Sequence, residues 1–191
     1  MKLFLHGWVT SPRTEKNKKF FQEVVKAGGN KILIFPFAQN DKKYDLQFDV
    51  DSQKFIDHNP DADIECVMAS DDIDILIEQI KEYDSLYFCG GTTKYHVDVI
   101  NQVLNYMDLF IDKVISWSSA GSLMWSKYYY DQDFEVVYKW LWLIDSKMIC
   151  HWWSDRYPSK DDKIRLEELK NYEEDLPIYK IREQEYEVFE I

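Results

Sequence analysis

Apolar positions along the chain fall into short blocks whose spacing switches between near-continuous and helical. Lys2 to His6 is a brief apolar run closed by Gly7 and reads as a strand. After Ser11-Pro12, Thr14 and Glu15 look like a helix start, with Phe20, Phe21, Val24 and Val25 as its stripe and Gly28-Gly29 as its stop. Lys31 to Phe37 is apolar almost without a break, as expected of a strand buried on both faces. Asn40 to Asp63 is polar and acidic with scattered aromatics, which predicts an irregular excursion holding a short helix near Asp51 to Asp57. Ile64 to Ala69 returns to strand. Asp71-Asp72 caps a predicted helix reaching Tyr83, with Ile73, Leu76, Ile77 and Ile80 on one side.

Asp84 to Phe88 is the next strand, and Gly90-Gly91-Thr92-Thr93 forms a loop into a helix from Lys94 to Met107. Lys113 to Trp117 is again strand, broken at Ser118-Ser119-Ala120-Gly121-Ser122, and a helix-compatible segment follows from Leu123 to Tyr130. Phe134 to Asp145 alternates and predicts a hairpin or an edge strand. The strand at Ser146 to Trp152 delivers His151. Ser159 caps a helix through Tyr172 with Ile164, Leu166 and Leu169 on its apolar side, and Pro177 to Ile181 and Tyr186 to Ile191 are short strands. Strands alternating with helices predict an α/β domain with a largely parallel sheet, whose ligands sit at strand C-termini. No repeat, low-complexity tract or linker divides the 191 residues, so residues 1–191 read as one domain.

The break after Trp117 carries the first chemical signal. A strand, a tight turn of small residues and a helix present a serine hydroxyl above a sheet, with the next backbone N–H facing any oxyanion formed there. Ser119 is the candidate nucleophile and Ser118 the alternative one residue earlier. The usual elbow has glycine two residues before its serine, where side chains crowd; Trp117 stands there.

Composition narrows the classes. Lys and Arg number 23 against 35 Asp and Glu, a net charge of −12, which disfavours a nucleic-acid partner. No run approaches a membrane span, so no membrane partner is expected, and the N-terminal apolar run is too short for a signal peptide. Three cysteines without CxxC spacing point to a reduced, cytoplasmic chain. Nothing has metal-ligand spacing; neither a metal nor another cofactor is expected. The expected partner is a small peptide or small-molecule substrate, and the oligomeric state stays open, a homodimer among the options.

A serine nucleophile needs a base. The histidines are His6, His58, His96 and His151. His58, in HNPDAD, reads as surface; His96 reads as a partly buried helix histidine; His6 ends the first strand without a specific task. His151 ends a strand at the sheet edge that carries Ser119. Gly90-Gly91 follow a strand at that edge, where paired glycines let amides approach an oxyanion, or simply make a turn. Arg156, in the loop after His151, can pair with a substrate carboxylate or be a solvated surface residue.

In this order the pieces resemble the dipeptidase E and cyanophycinase family of serine peptidases, whose fold is like that of class I glutamine amidotransferases. The carrying stretches are DSLYFCGGTTKYHVDVI, VISWSSAGS, ICHWWSDRYPSKDDKIRLEEL and LPIYKIREQEYEV. The resemblance implies an α/β three-layer sandwich with a mostly parallel central sheet. It implies Ser119 as nucleophile, His151 as base, Glu183 as the acid of the triad, and oxyanion donors at Gly90 or Gly91 and Ala120; Thr92 of the glycine loop and Arg156 are the candidate substrate-binding residues. The implied activity is serine hydrolysis of a short peptide, aspartyl dipeptides being the best-known substrates. Glu185 is close enough to be the acid instead. The rival readings are a non-catalytic binding or regulatory member of the same fold and an amidase or esterase on another small molecule.

Overall fold

The computed structural model describes residues 1–8, 10, 13–39, 43–140, 144–154 and 161–191. Six strands form the first sheet: β1 (Lys2–His6), β2 (Lys31–Phe35), β3 (Glu65–Met68), β4 (Ser85–Phe88), β5 (Val114–Ser118) and β10 (Tyr186–Glu190). Their order is β10-β1-β5-β4-β2-β3, parallel throughout except for the edge strand β10.

Each inner strand sends alternate side chains to opposite faces. Leu3, Leu5, Leu33, Phe35, Leu86, Phe88, Ile115 and Trp117 enter one core, with Leu76 and Ile80 of helix α3 (Ile73–Glu82) and Ile100 and Val103 of helix α4 (Thr93–Val103). Phe4, Ile32, Ile34 and Tyr87 enter the other, against Phe20, Phe21 and Val24 of helix α1 (Glu15–Gly28) and Phe55 of helix α2 (Tyr44–His58). Helices on both faces of a mostly parallel sheet make the expected three-layer α/β sandwich. Each fully buried phenylalanine in it contributes roughly 2–3 kcal/mol of transfer free energy.

A second sheet has the order β7-β6-β8-β9, built from β6 (Ser126–Asp131), β7 (Val136–Lys139), β8 (Ile144–Ile149) and β9 (Ile178–Lys180). Tyr129, Met148 and Cys150 join the Trp117 core, while Tyr128, Tyr130 and Ile149 pack with Leu169 of helix α6 (Asp162–Lys170). The helix expected over Leu123 to Tyr130 is therefore wrong: helix α5 is one turn, Ala120–Leu123, and Ser126–Asp131 is strand. Three consecutive tyrosines favour a pleated surface with both faces covered. Val136–Lys139 pairs antiparallel with β6, the expected hairpin.

The irregular excursion expected over Asn40 to Asp63 also gives way, to the fifteen-residue α2. Its inward side carries Gln47, Asp51, Lys54, Phe55 and His58, a helical spacing hidden because most of these residues are polar. Lys54 pairs with Asp51 at 2.5 Å, Gln47 donates to Asp51, and Lys54 Nζ donates to Thr10. His58, expected at the surface, is buried against Phe21, with ring centroids 4.9 Å apart. The cap expected at Ser159 lies outside the described residues; Asp161 caps α6, accepting from the Lys163 amide.

Candidate active site

Register brings the site together. In the first sheet His6 lies opposite Ser118, and Trp117 opposite Phe88, so β1, β5 and β4 end side by side. At that edge the chain turns at Ser119 with φ 56° and ψ −115°, a left-handed conformation uncommon for serine and costing on the order of 1–3 kcal/mol. The turn is tied to β1 twice: the Ser119 N–H and the Ser122 hydroxyl both donate to the His6 carbonyl, each at 2.9 Å.

Trp117 is accommodated in a specific way. Its ring is fully buried, stacks on Phe88 at 3.5 Å and meets Trp125 edge-on at 4.8 Å. A Cβ on Gly121 would overlap Trp117 Cε3, so the ring occupies space that only glycine leaves open four residues later. The turn keeps one small residue where the strand has a large one.

The second sheet supplies the base. His151 follows β8 and Cys150 with φ 54°, and its Nε2 lies 2.8 Å from Ser119 Oγ. Ser118 is the buried last residue of β5, so the pair forms with Ser119. Burial, then the nearby Arg165 cation, lowers the His151 pKa from 6.5 to about 4, which leaves the imidazole neutral and able to accept a proton at pH 7. The Cys150 thiol donates to the Ser119 carbonyl at 3.6 Å, and Gln132 Nε2 donates to the Cys150 carbonyl. The Trp8 ring stands edge-on to His151 at 5.1 Å.

His6 has a task that its sequence position did not reveal. Its Nδ1 accepts from the Trp8 N–H at 3.0 Å and its Nε2 pairs with Asn17 at 3.2 Å, so the ring holds the turn that presents Trp8. Burial lowers its pKa to about 3. His96 is a core residue whose Nε2–H donates to the Cys89 carbonyl at 2.7 Å, with its pKa lowered by burial to about 4.

The glycine loop lies against the turn. A Cβ on Gly90 would sit 3.3 Å from Ser119 Cβ, and a Cβ on Gly91, whose φ is 151°, would overlap the Ala38 carbonyl. Among the described residues neither glycine amide has a protein acceptor, and the Gly90 carbonyl accepts from Gln39. The Thr92 amide is anchored to Ala38 at 2.9 Å, which sets the start of α4. Ala120 opens α5 directly after Ser119.

The Glu183 carboxylate accepts from Ser154 Oγ, and the Ser154 N–H donates to the His151 carbonyl at 3.2 Å, so Glu183 stands beside the loop that carries the base. Glu185 is taken up by Lys16 at 2.9 Å. These glutamates, with Lys16, Trp152, Trp153 and Arg182, line a polar cavity of about 370 Å³ next to the base loop. Arg156 lies outside the described residues. Among the described residues no cluster of three or more His, Cys, Asp or Glu side chains could hold a metal ion, and no helix is long and apolar enough to cross a membrane.

Sequence reasoning missed Trp8, Asn17 and Gln132. Each acts through a contact between residues distant in the chain, and none stands in a motif.

No family model matches the chain, and no curated protein matches it in sequence. Solved structures do. One is a peptidase from an acI-B1 Actinobacterium, with TM-score 0.71 and 15% identity, covering 98% of this chain and 82% of that one. Another is a "Putative Peptidase E Protein" from Listeria monocytogenes EGD-e, with TM-score 0.64 and 17% identity, covering 100% of this chain and 98% of that one. With a three-layer α/β sandwich and this strand order, the chain has a peptidase E-like fold.

Proposed function

We propose that the chain is a serine-type peptidase acting on short peptides, Asp-containing dipeptides among them. The single observation that carries the reading is the 2.8 Å approach of Ser119 Oγ to a neutral, buried His151 at a strained strand-to-helix turn. Peptidases with the same fold support the reaction class.

With the proton on Nδ1, the Ser119 hydroxyl donates to His151 Nε2. Attack of Oγ on the peptide carbonyl carbon moves that proton to the imidazole, which returns it to the amine as the C–N bond breaks. Water then repeats the sequence on the acyl-enzyme. Gly90, Gly91 and Ala120 are the proposed amide donors to the carbonyl oxygen as it gains charge, and Thr92 lies at the same edge. Arg156 is proposed toward a substrate carboxylate. Glu183 takes part through Ser154, which belongs to the base loop.

A fluorophosphonate probe tests the reading. It should label the wild type and not Ser119→Ala, and His151→Ala should lose about a thousandfold or more in hydrolysis of a short peptide. Glu183→Gln should lose far less than His151→Ala. A wild type that takes no label would favour a non-catalytic binding protein of this fold.

A further inference from the structure

Two residues of the loop that carries the base, His151 and Trp153, are held by one ion pair. Arg165, 1% exposed, lies inside helix α6, and its guanidinium pairs with Asp162 in the first turn of that helix. From there Nη2 donates to the His151 carbonyl at 3.4 Å. The other end of the pair accepts from the chain two residues on: the Trp153 N–H donates to Asp162 Oδ2 at 2.9 Å. His151 and Trp153 both have left-handed backbones, with φ 54° and 59°. Two bonds from one ion pair thus bracket the strained segment that carries the base.

The burial of Arg165 is not explained by stability. Its Nε and Nη1 make no hydrogen bond among the described residues. A buried guanidinium so incompletely satisfied is costly, and an apolar side chain would fill the space at lower cost.

We propose that Arg165, with Asp162, is a positioning residue that holds His151 in register with Ser119. Among the described residues, the charged and titratable groups around the base include Arg165 with its partner Asp162 from α6, His6 from β1 and Cys150 preceding it in the chain; Tyr130 of β6 faces Arg165 from the other side. The device opposes protonation of the base in the resting protein and fixes its ring.

The inference rests on His151 being the base, so the test reads His151 without turnover. An imidazole NMR titration of the full chain, assigned with His151→Gln, follows wild type, Arg165→Gln and Arg165→Lys. Arg165→Gln keeps a donor for the His151 carbonyl and removes the charge; Arg165→Lys keeps the charge. Titration of His151 should move up by about one pH unit or more in Arg165→Gln and stay low in Arg165→Lys. Peptide hydrolysis should fall in kcat by about tenfold in Arg165→Gln with KM little changed, and be largely restored by lysine. Wild-type titration and kcat in Arg165→Gln overturn the inference. Should Arg165→Gln not fold, Asp162→Asn decides: a wild-type kcat there overturns the inference, and a fall in kcat with KM little changed supports it. If Ser119 takes no phosphonate while the titration shift appears, the catalytic reading falls and the placement of His151 by Arg165 stands.

Discussion

Trp117 and Gly121 behave as one unit. The ring covers the site where an alanine methyl at 121 would sit, and it is pinned from behind by Phe88 and from the side by Trp125. Gly121→Ala should therefore destabilise the fold by roughly 1–3 kcal/mol, read from urea unfolding, and reduce phosphonate labelling of Ser119. In a Trp117→Leu background the same substitution should cost much less; equal costs in both backgrounds would show that the two positions do not compete for space. From sequence alone Trp117 was a departure from the elbow pattern, because the pattern records one small position before the serine and not the exchange with the position after it. Ser119 and His151 were legible because each stands at a strand end beside a turn. Glu183 was legible as a carboxylate near the base loop, while its Ser154 partner was not, because that bond joins residues far apart in the chain.

Among the elements, the strands of the first sheet and helices α1 and α3 could be read because their buried sides are apolar. α1 runs from a Thr14 cap to Gly29 at φ 84°, with Phe20, Phe21 and Val24 inward. α2 could be read only as a short helix near Asp51 to Asp57, because its inward side is built largely from Asp51, Lys54 and Gln47, which satisfy one another. β6 could not, because tyrosines at 128 and 130 face α6 while Tyr129 faces the main core, so no alternation of apolar with polar marks the strand. In α6 the expected apolar side holds at Leu166 and Leu169 but not at Ile164, which is exposed while Arg165 takes an inward place.

The molecule as a whole buries three histidines in neutral form. Burial lowers the pKa of His6 to about 3 and those of His96 and His151 to about 4, each from 6.5. Between pH 6.5 and these values the unfolded chain takes up protons that the folded chain refuses, so stability is full above 6.5 and falls as the pH drops. Asp131, whose carboxyl is raised by burial, opposes the trend as a single group. Each pKa unit is worth ~1.4 kcal/mol, so urea midpoints should decline between pH 7 and pH 4.5 by the equivalent of roughly 2–3 kcal/mol per histidine. A flat profile over that range would mean that these histidines are hydrated in the folded state.

Ser119 rises from one hydrogen-bonded sheet and His151 from the other, and the two sheets share a core that includes Trp117, Trp125, Met148 and Cys150. The reacting pair is thus a gauge laid across a joint. Strand ladders can survive a small slip at that joint, but a hydrogen bond tolerates only about 0.5 Å of misplacement. Hydrolysis should vanish at a lower urea concentration than far-UV dichroism. Coincident loss would mean that the joint and the ladders fail as one.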